Sequence, residues 1–188
     1  MQSGSLGLAG KVAIVTGGSR GIGKAVVDLL SSFGTNVVVN YVRDEQAAAQ
    51  TIDLARGRGA GAVAIRADVA QLAEAERLVD ETRRRFGRID FLICNAGIWE
   101  GGPVESIAED LWDRTFDINL KGTFNTLREA ARRLRDGGRI VNLSSSVVGL
   151  NQPTYGAYVA TKAAVEALTK VLTKELRGRN ITVNAVAP

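Results

Sequence analysis

Apolar residues follow two rhythms along this chain, and the alternation between them predicts its elements. Six short runs rich in Val and Ile read as buried strands: "KVAIVT" (11–16), "NVVVNY" (36–41), "AVAIRAD" (62–68), "IDFLICNAG" (89–97), "GGRIVNLSSS" (137–146) and "ITVNAVA" (181–187). Between them lie longer segments of helical period, predicting helices over 22–33, 44–58, 71–87, 104–135 and 154–177, the third stopping at Gly87. Strands that alternate with helices argue βαβ units and a parallel sheet, and strands apolar throughout need cover on both faces. The expected class is therefore α/β: a doubly wound parallel sheet, the Rossmann arrangement, in three layers. No linker, repeat or low-complexity stretch divides the chain. Residues 10–188 are read as one domain and 1–9 as a flexible leader. A strand so close to Pro188 is an abrupt end for such a sheet, so a further C-terminal part is expected beyond it.

Composition narrows the chemistry. The chain has no histidine, which removes a Ser-His-Asp triad, a His-metal site and imidazole acid-base catalysis. Proton transfer near neutral pH then falls to Tyr, Lys, Asp, Glu, the one cysteine (Cys94) or water. A single cysteine allows no internal disulfide, and in an apolar strand Cys94 reads as core. No apolar run reaches the ~20 residues of a membrane span. "MQSGSLGLAG" lacks the blocks of a signal peptide, so a cytoplasmic protein is expected. The net charge of +4 suits an anionic ligand, whereas "RRR" (83–85) and "RRLR" (132–135) fall in predicted helices and read as solvated faces. Without interleaved aromatics these do not make a nucleic-acid site.

"TGGSRGIG" (16–23) follows the first strand and opens the first helix. Glycines at 17, 21 and 23 permit positive φ and close backbone approach, and the N–H groups at a helix start favour phosphate. Lys24 is followed by Ala25, so the nucleoside-triphosphate motif GxxxxGK[ST] is missing and triphosphate hydrolysis is not expected. Further on, Tyr158 and Lys162 are four apart on a predicted helix and share a face. A free phenol titrates near ~10 and is a sluggish acid at neutral pH; a neighbouring ammonium is expected to pull that value down. Tyr155, seven from Lys162, is the poorer partner and a candidate for the pocket wall. Asn119 is a weak helix former in the middle of the predicted helix 104–135.

The TGxxxGxG spacing, "NAG" at 95–97, Asn119 in "FDINLKG", the serines of "NLSSS", Tyr158-x-x-x-Lys162 and "ITVNAVAP" occur in one order along residues 10–188. In this the chain resembles the short-chain dehydrogenase/reductase family, and most nearly its 3-oxoacyl-[acyl-carrier-protein] reductase-like members. The resemblance implies that Gly17, Ser19, Arg20, Gly21, Ile22 and Gly23 hold a dinucleotide pyrophosphate. Asp68 and Val69 would hold its adenine, and Asn95, Ala96 and Gly97 would border its path. It implies a catalytic set of Asn119, Ser145, Tyr158 and Lys162, with Lys162 also binding the nicotinamide ribose. Ser145 is favoured because it lies thirteen residues before the tyrosine, although alignment on "SVVG" points to Ser146. Asp68 could equally cap the following helix. Tyr41 stands where relatives that use NAD carry an acid, and Arg20 and Arg43 are near, so NADP is expected over NAD; Asp44 can instead start the next helix. The implied activity is reversible hydride transfer to a small carbonyl or acyl-thioester substrate, with no metal. A sugar or polyol dehydrogenase and a non-catalytic NADP sensor are the alternatives. A homodimer or homotetramer packed through helices 104–135 and 154–177 is also implied.

Overall fold

The computed structural model describes residues 6–188. Most of the expected leader therefore lies outside the described residues. Its end is tied down, since Leu8 accepts hydrogen bonds at its carbonyl from Thr35 Oγ1 (3.0 Å) and Lys11 N (3.1 Å).

Among the described residues, six parallel strands make one sheet in the order β3-β2-β1-β4-β5-β6. They are β1 (Val12–Val15), β2 (Asn36–Tyr41), β3 (Ala62–Arg66), β4 (Phe91–Cys94), β5 (Arg139–Leu143) and β6 (Thr182–Val186). The order reverses between β1 and β4, where Ala13 pairs with Phe91 and Val15 with Ile93. Alternate residues of each strand feed opposite faces. Ile14, Val38, Ile65, Leu92, Ile140 and Val183 pack under α3 (Leu72–Phe86), α5 (Gly122–Arg133) and the end of α7 (Gly156–Glu175). Ala13, Val15, Val37, Val39 and Ile93 pack under α1 (Gly21–Ser32) and α2 (Glu45–Gly57). Gly87 ends α3 at φ +75°, the left-handed cap that glycine adopts without cost. Among the described residues, no helix is long and apolar enough to cross a membrane.

The segment 104–135, expected as one helix, is broken. A 3-10 turn (Val104–Ser106) precedes α4 (Glu109–Phe116), and a π-helical turn (Asp117–Lys121) joins α4 to α5. The cause is tertiary. Asn119 lies in that turn, and its side chain grips both backbone groups of Ile98, accepting from N (2.8 Å) and donating to O (2.9 Å). A wider turn carries the amide toward the loop after β4. A short α6 (Val147–Leu150), absent from the sequence reading, leads out of β5.

Candidate active site

Where β1 meets β4, the chain is stitched by polar groups. Thr16 Oγ1 accepts from the backbone N–H groups of Asn95 and Ala96 (both 3.0 Å) and donates to Ile93 O (3.3 Å), which uses the hydroxyl fully. Asn95 Nδ2 returns the contact, donating to Thr16 O (3.0 Å) and Gly17 O (3.1 Å). On the other side, Asn40 accepts from Gly17 N (3.3 Å) and donates to Ala67 O (2.8 Å). The sequence reading named Asn95 but missed Thr16 and Asn40. Their signal was present: a polar residue inside or ending an otherwise apolar strand needs partners if it is buried.

These stitches hold the glycine turn against the helix it opens. A Cβ at Gly23 would lie 2.4 Å from Gly17 O and 2.6 Å from Asn95 Nδ2, so only glycine fits there. Gly17 and Gly21 have φ of +61° and +54°, and the space above Gly21 is open. No side chain caps the start of α1, and its first turn holds no acid, which leaves N–H groups facing that space. A phosphate fits there on geometry and charge. Ser19 is anchored through its carbonyl by Thr51 Oγ1 (3.1 Å), while Arg20 and Ile22 are exposed.

At the end of β2, Tyr41 is half-buried and Arg43 exposed. Asp44 accepts from Ala47 N (2.8 Å) as the cap of α2, so its carboxylate is engaged in the fold. After β3, Asp68 accepts from Ala70 N (3.0 Å) in a turn before α3, whose cap residue is Gln71. Val69 is fixed through its carbonyl by Asn125 Nδ2 (2.9 Å). The rim formed by the ends of β1 to β4 thus carries the residues the sequence assigned to the cofactor's phosphates and adenine, whereas Lys162, assigned to the nicotinamide ribose, stands on α7. Ligands of open α/β sheets sit on this carboxyl edge, at the switch point.

Gly97 joins this rim to a second cluster. A Cβ there would stand 3.2 Å from Asn119 Oδ1 and 3.8 Å from Lys162 Nζ. Lys162 is buried, and its ammonium donates to Leu143 O (2.6 Å) and lies 5.5 Å from the Tyr158 ring centroid. Burial pulls its pKa down to about 8. The Tyr158 phenol is pushed up, first by burial, with hydrogen bonding to Ser145 pulling it back and Tyr155 pushing it further. The net shift is therefore opposite to the one expected from the ammonium, because burial of the phenol outweighs what pulls it down. The three serines part company: Ser144 donates to Glu166 Oε1 (2.6 Å), Ser146 donates to Pro188 O (2.9 Å), and Ser145 meets the phenol. Asn119 Nδ2 also reaches Thr161 Oγ1 (3.3 Å), and Thr123 Oγ1 donates to Asn119 O (2.7 Å). Cys94 is buried, its thiol pushed up to about 12 by burial, which leaves it inert. Tyr155 stacks on Trp99 with ring centroids 5.0 Å apart.

A parallel sheet with a glycine turn at its switch point defines the doubly wound, nucleotide-binding class. The short chain dehydrogenase family matches residues 11–188. A short-chain type dehydrogenase/reductase of Picea abies is 41% identical over 191 residues, covering 96% of this chain and 70% of that protein. The hydroxynaphthalene reductase-like protein Arp2 of Metarhizium brunneum is 41% identical over 182 residues, covering 96% of this chain and 68% of its own length. The structure of a short chain dehydrogenase from Burkholderia cenocepacia in complex with NADP superposes with a TM-score of 0.93 at 36% identity, over 96% of this chain and 74% of that one. A dehydrogenase/reductase from Sinorhizobium meliloti gives 0.95 at 38%, over 100% and 76%. The chain belongs to the short-chain dehydrogenase/reductase family, oxidoreductases that act on CH–OH and C=O groups of small molecules.

Proposed function

We propose that the protein is an NADP(H)-dependent carbonyl reductase or alcohol dehydrogenase whose substrate carbonyl binds between Ser145 and Tyr158. The observation that carries this reading is the buried Lys162 ammonium 5.5 Å from the Tyr158 ring centroid, with Ser145 just past the end of β5 acting on the same phenol. When bound, NADPH supplies the hydride that reduces the carbonyl carbon. Tyr158 gives its proton to the carbonyl oxygen, and its raised pKa keeps that proton in place at neutral pH. Ser145 donates to the same oxygen and stabilises the negative charge that grows there. Lys162 favours the phenolate left behind. Asn119 relays a replacement proton toward Lys162 through water. Its side chain is engaged with Ile98 and Thr161, so the relay would run from its backbone carbonyl, which already accepts from Thr123.

NADP is favoured over NAD because Arg20 and Arg43 are exposed at the rim, Tyr41 carries no acid, and the Asp44 carboxylate is turned to its own helix. Two Burkholderia cenocepacia relatives hold NADP in their structures. In substrate class, a ketone or 3-oxoacyl thioester is preferred over a sugar or polyol, since Trp99 and Tyr155 make an apolar flank beside Tyr158. A homodimer or homotetramer packs through α4, α5 and α7. There Phe116, Leu120, Phe124, Leu168 and Val171 line a concavity of about 540 Å³. The lone buried Cys94 suits a reducing compartment, and the cytoplasm is the location proposed.

The test is a panel of carbonyl compounds followed by loss of NADPH absorbance, with Tyr158→Phe alongside. Removing the acid should cut turnover by about 10²–10⁴-fold while leaving NADPH binding, measured by calorimetry, in place. Unchanged turnover would remove Tyr158 from the mechanism. NADPH binding with no turnover of any carbonyl would favour a sensor.

A further inference from the structure

We infer that Trp99 and Tyr155 form an aromatic wall that selects flat, conjugated carbonyl substrates of fused-ring size; this rests on the reductase reading above. Three aromatic rings run outward from the proposed acid. Tyr155 meets Tyr158 edge to face with centroids 6.4 Å apart, and Trp99 lies stacked on Tyr155 at 5.0 Å with ring planes inclined by 27°. Trp99 is 54% exposed, although an indole is a large apolar group that usually finds cover. A carbonyl oxygen held by Tyr158 leaves the rest of a substrate alongside Tyr155 and then Trp99. A single ring reaches the first of these, and a fused bicycle reaches both.

The backbone around the pair is built to hold it. A Cβ at Gly101 would lie 3.2 Å from Trp99 Cζ2, so glycine gives the indole room to lie where it does. Gly102 N donates to Thr154 O (2.9 Å), which pins the loop carrying Trp99 to the turn carrying Tyr155. Thr154 has φ +72°, a left-handed conformation that a β-branched residue avoids. Strain of this kind persists only where surrounding contacts impose it, and it gathers at sites of function. Here it sets Tyr155 at the head of α7, one helical turn from the acid. Aromatic rings favour other π faces over saturated carbon of equal size, which gives the wall its selectivity.

The experiment compares 1-tetralone with 1-decalone, the same carbon skeleton with and without an aromatic ring. Conjugation makes the tetralone carbonyl intrinsically less reactive, so the tetralone-to-decalone ratio of kcat/KM is compared between proteins: it should be roughly three- to tenfold higher in the wild type than in Trp99→Leu, the worth of one aromatic contact. Trp99→Phe should keep most of that preference. In parallel, the NADP⁺-loaded protein is titrated calorimetrically with each ketone, which reads binding without turnover. A ratio that Trp99→Leu leaves unchanged overturns the wall while the reductase reading stands. Selective binding of the tetralone, lost in Trp99→Leu and accompanied by no turnover, sustains the wall and overturns the chemistry.

Discussion

Thr16 is the residue on which the two halves of the sheet are joined at the site, and Thr16→Val isolates that role. Valine keeps the shape and β-branching but removes the hydroxyl. Two N–H groups, of Asn95 and Ala96, lose an acceptor at 3.0 Å, and Ile93 O loses a donor at 3.3 Å. An unsatisfied buried group costs about 1–3 kcal/mol, and because Asn95 and Ala96 are only half-buried the low end applies to each. Ile93 O keeps the backbone N–H of residue 16 as a donor at 3.0 Å, so the sum is about 2 kcal/mol. For a chain of this size that lowers the melting temperature by roughly 4–8 °C. Thr16→Ser keeps the hydroxyl and loses one methyl group, worth about 1 kcal/mol, so it should recover about half of the loss. The assay is thermal unfolding by circular dichroism on all three proteins, with NADPH titrations beside it. Valine should also weaken NADPH binding, since Gly17 follows directly in the turn. If Thr16→Val melts within about 2 °C of wild type, or if serine is as damaging as valine, the hydroxyl is not the joint proposed here.

Further outcomes follow from the same geometry. Lys162, whose pKa is pushed down to about 8, keeps its charge below that pH and loses it above. The kcat/KM for reduction should therefore be flat below pH 8 and fall with a slope of one above it; a profile still flat a full pH unit higher would remove the ammonium from the step. Arg20→Ala or Arg43→Ala should each weaken NADPH binding about tenfold and leave NADH binding alone, and equal effects on both cofactors would defeat the 2′-phosphate assignment. Val171→Glu or Phe124→Glu places a charge on the exposed apolar face, where in a two-fold dimer it would meet its own copy. Sedimentation should show a monomer, and an unchanged assembly would move the contact elsewhere.

The strands were legible because their requirement is local: a run such as "VVV" at 37–39 that is apolar on both sides can only be covered twice. The parallel, doubly wound sheet followed from the same alternation, whereas the order of its strands came only with the structure. The site was legible where chemistry fixes spacing, as between Tyr158 and Lys162 on one helix face. What sequence did not show were bonds between distant segments. Asn119 widens its turn because Ile98 lies beside it, and nothing near residue 119 in sequence announces that. The direction of the Tyr158 shift was misjudged for a related reason. The spacing brings the ammonium near, but only the packed structure shows that burial of the phenol outweighs what pulls it down.

The reversal of strand order between β1 and β4 has a kinetic meaning. β1 to β3, and β4 to β6, each pair in chain order, with partners such as Val12 and Asn36 or Val37 and Ala62 in the first half and Phe91 and Arg139 or Arg139 and Thr182 in the second, all nearer in sequence than the residues of the joint. The joint between halves brings together residues such as Val12 and Asp90, 78 positions apart, and closing so long a loop costs entropy before any contact offsets it. The stitches of Thr16 and Asn95 thus belong to the last event of folding and the first of local opening. Amide exchange should show this, with Asn95 and Ala96 exchanging ahead of Val38 and Ile140, and the reverse order would contradict it. A dinucleotide lying across that joint would act as a clasp, so that cofactor supply sets how long the assembled fold survives in the cell.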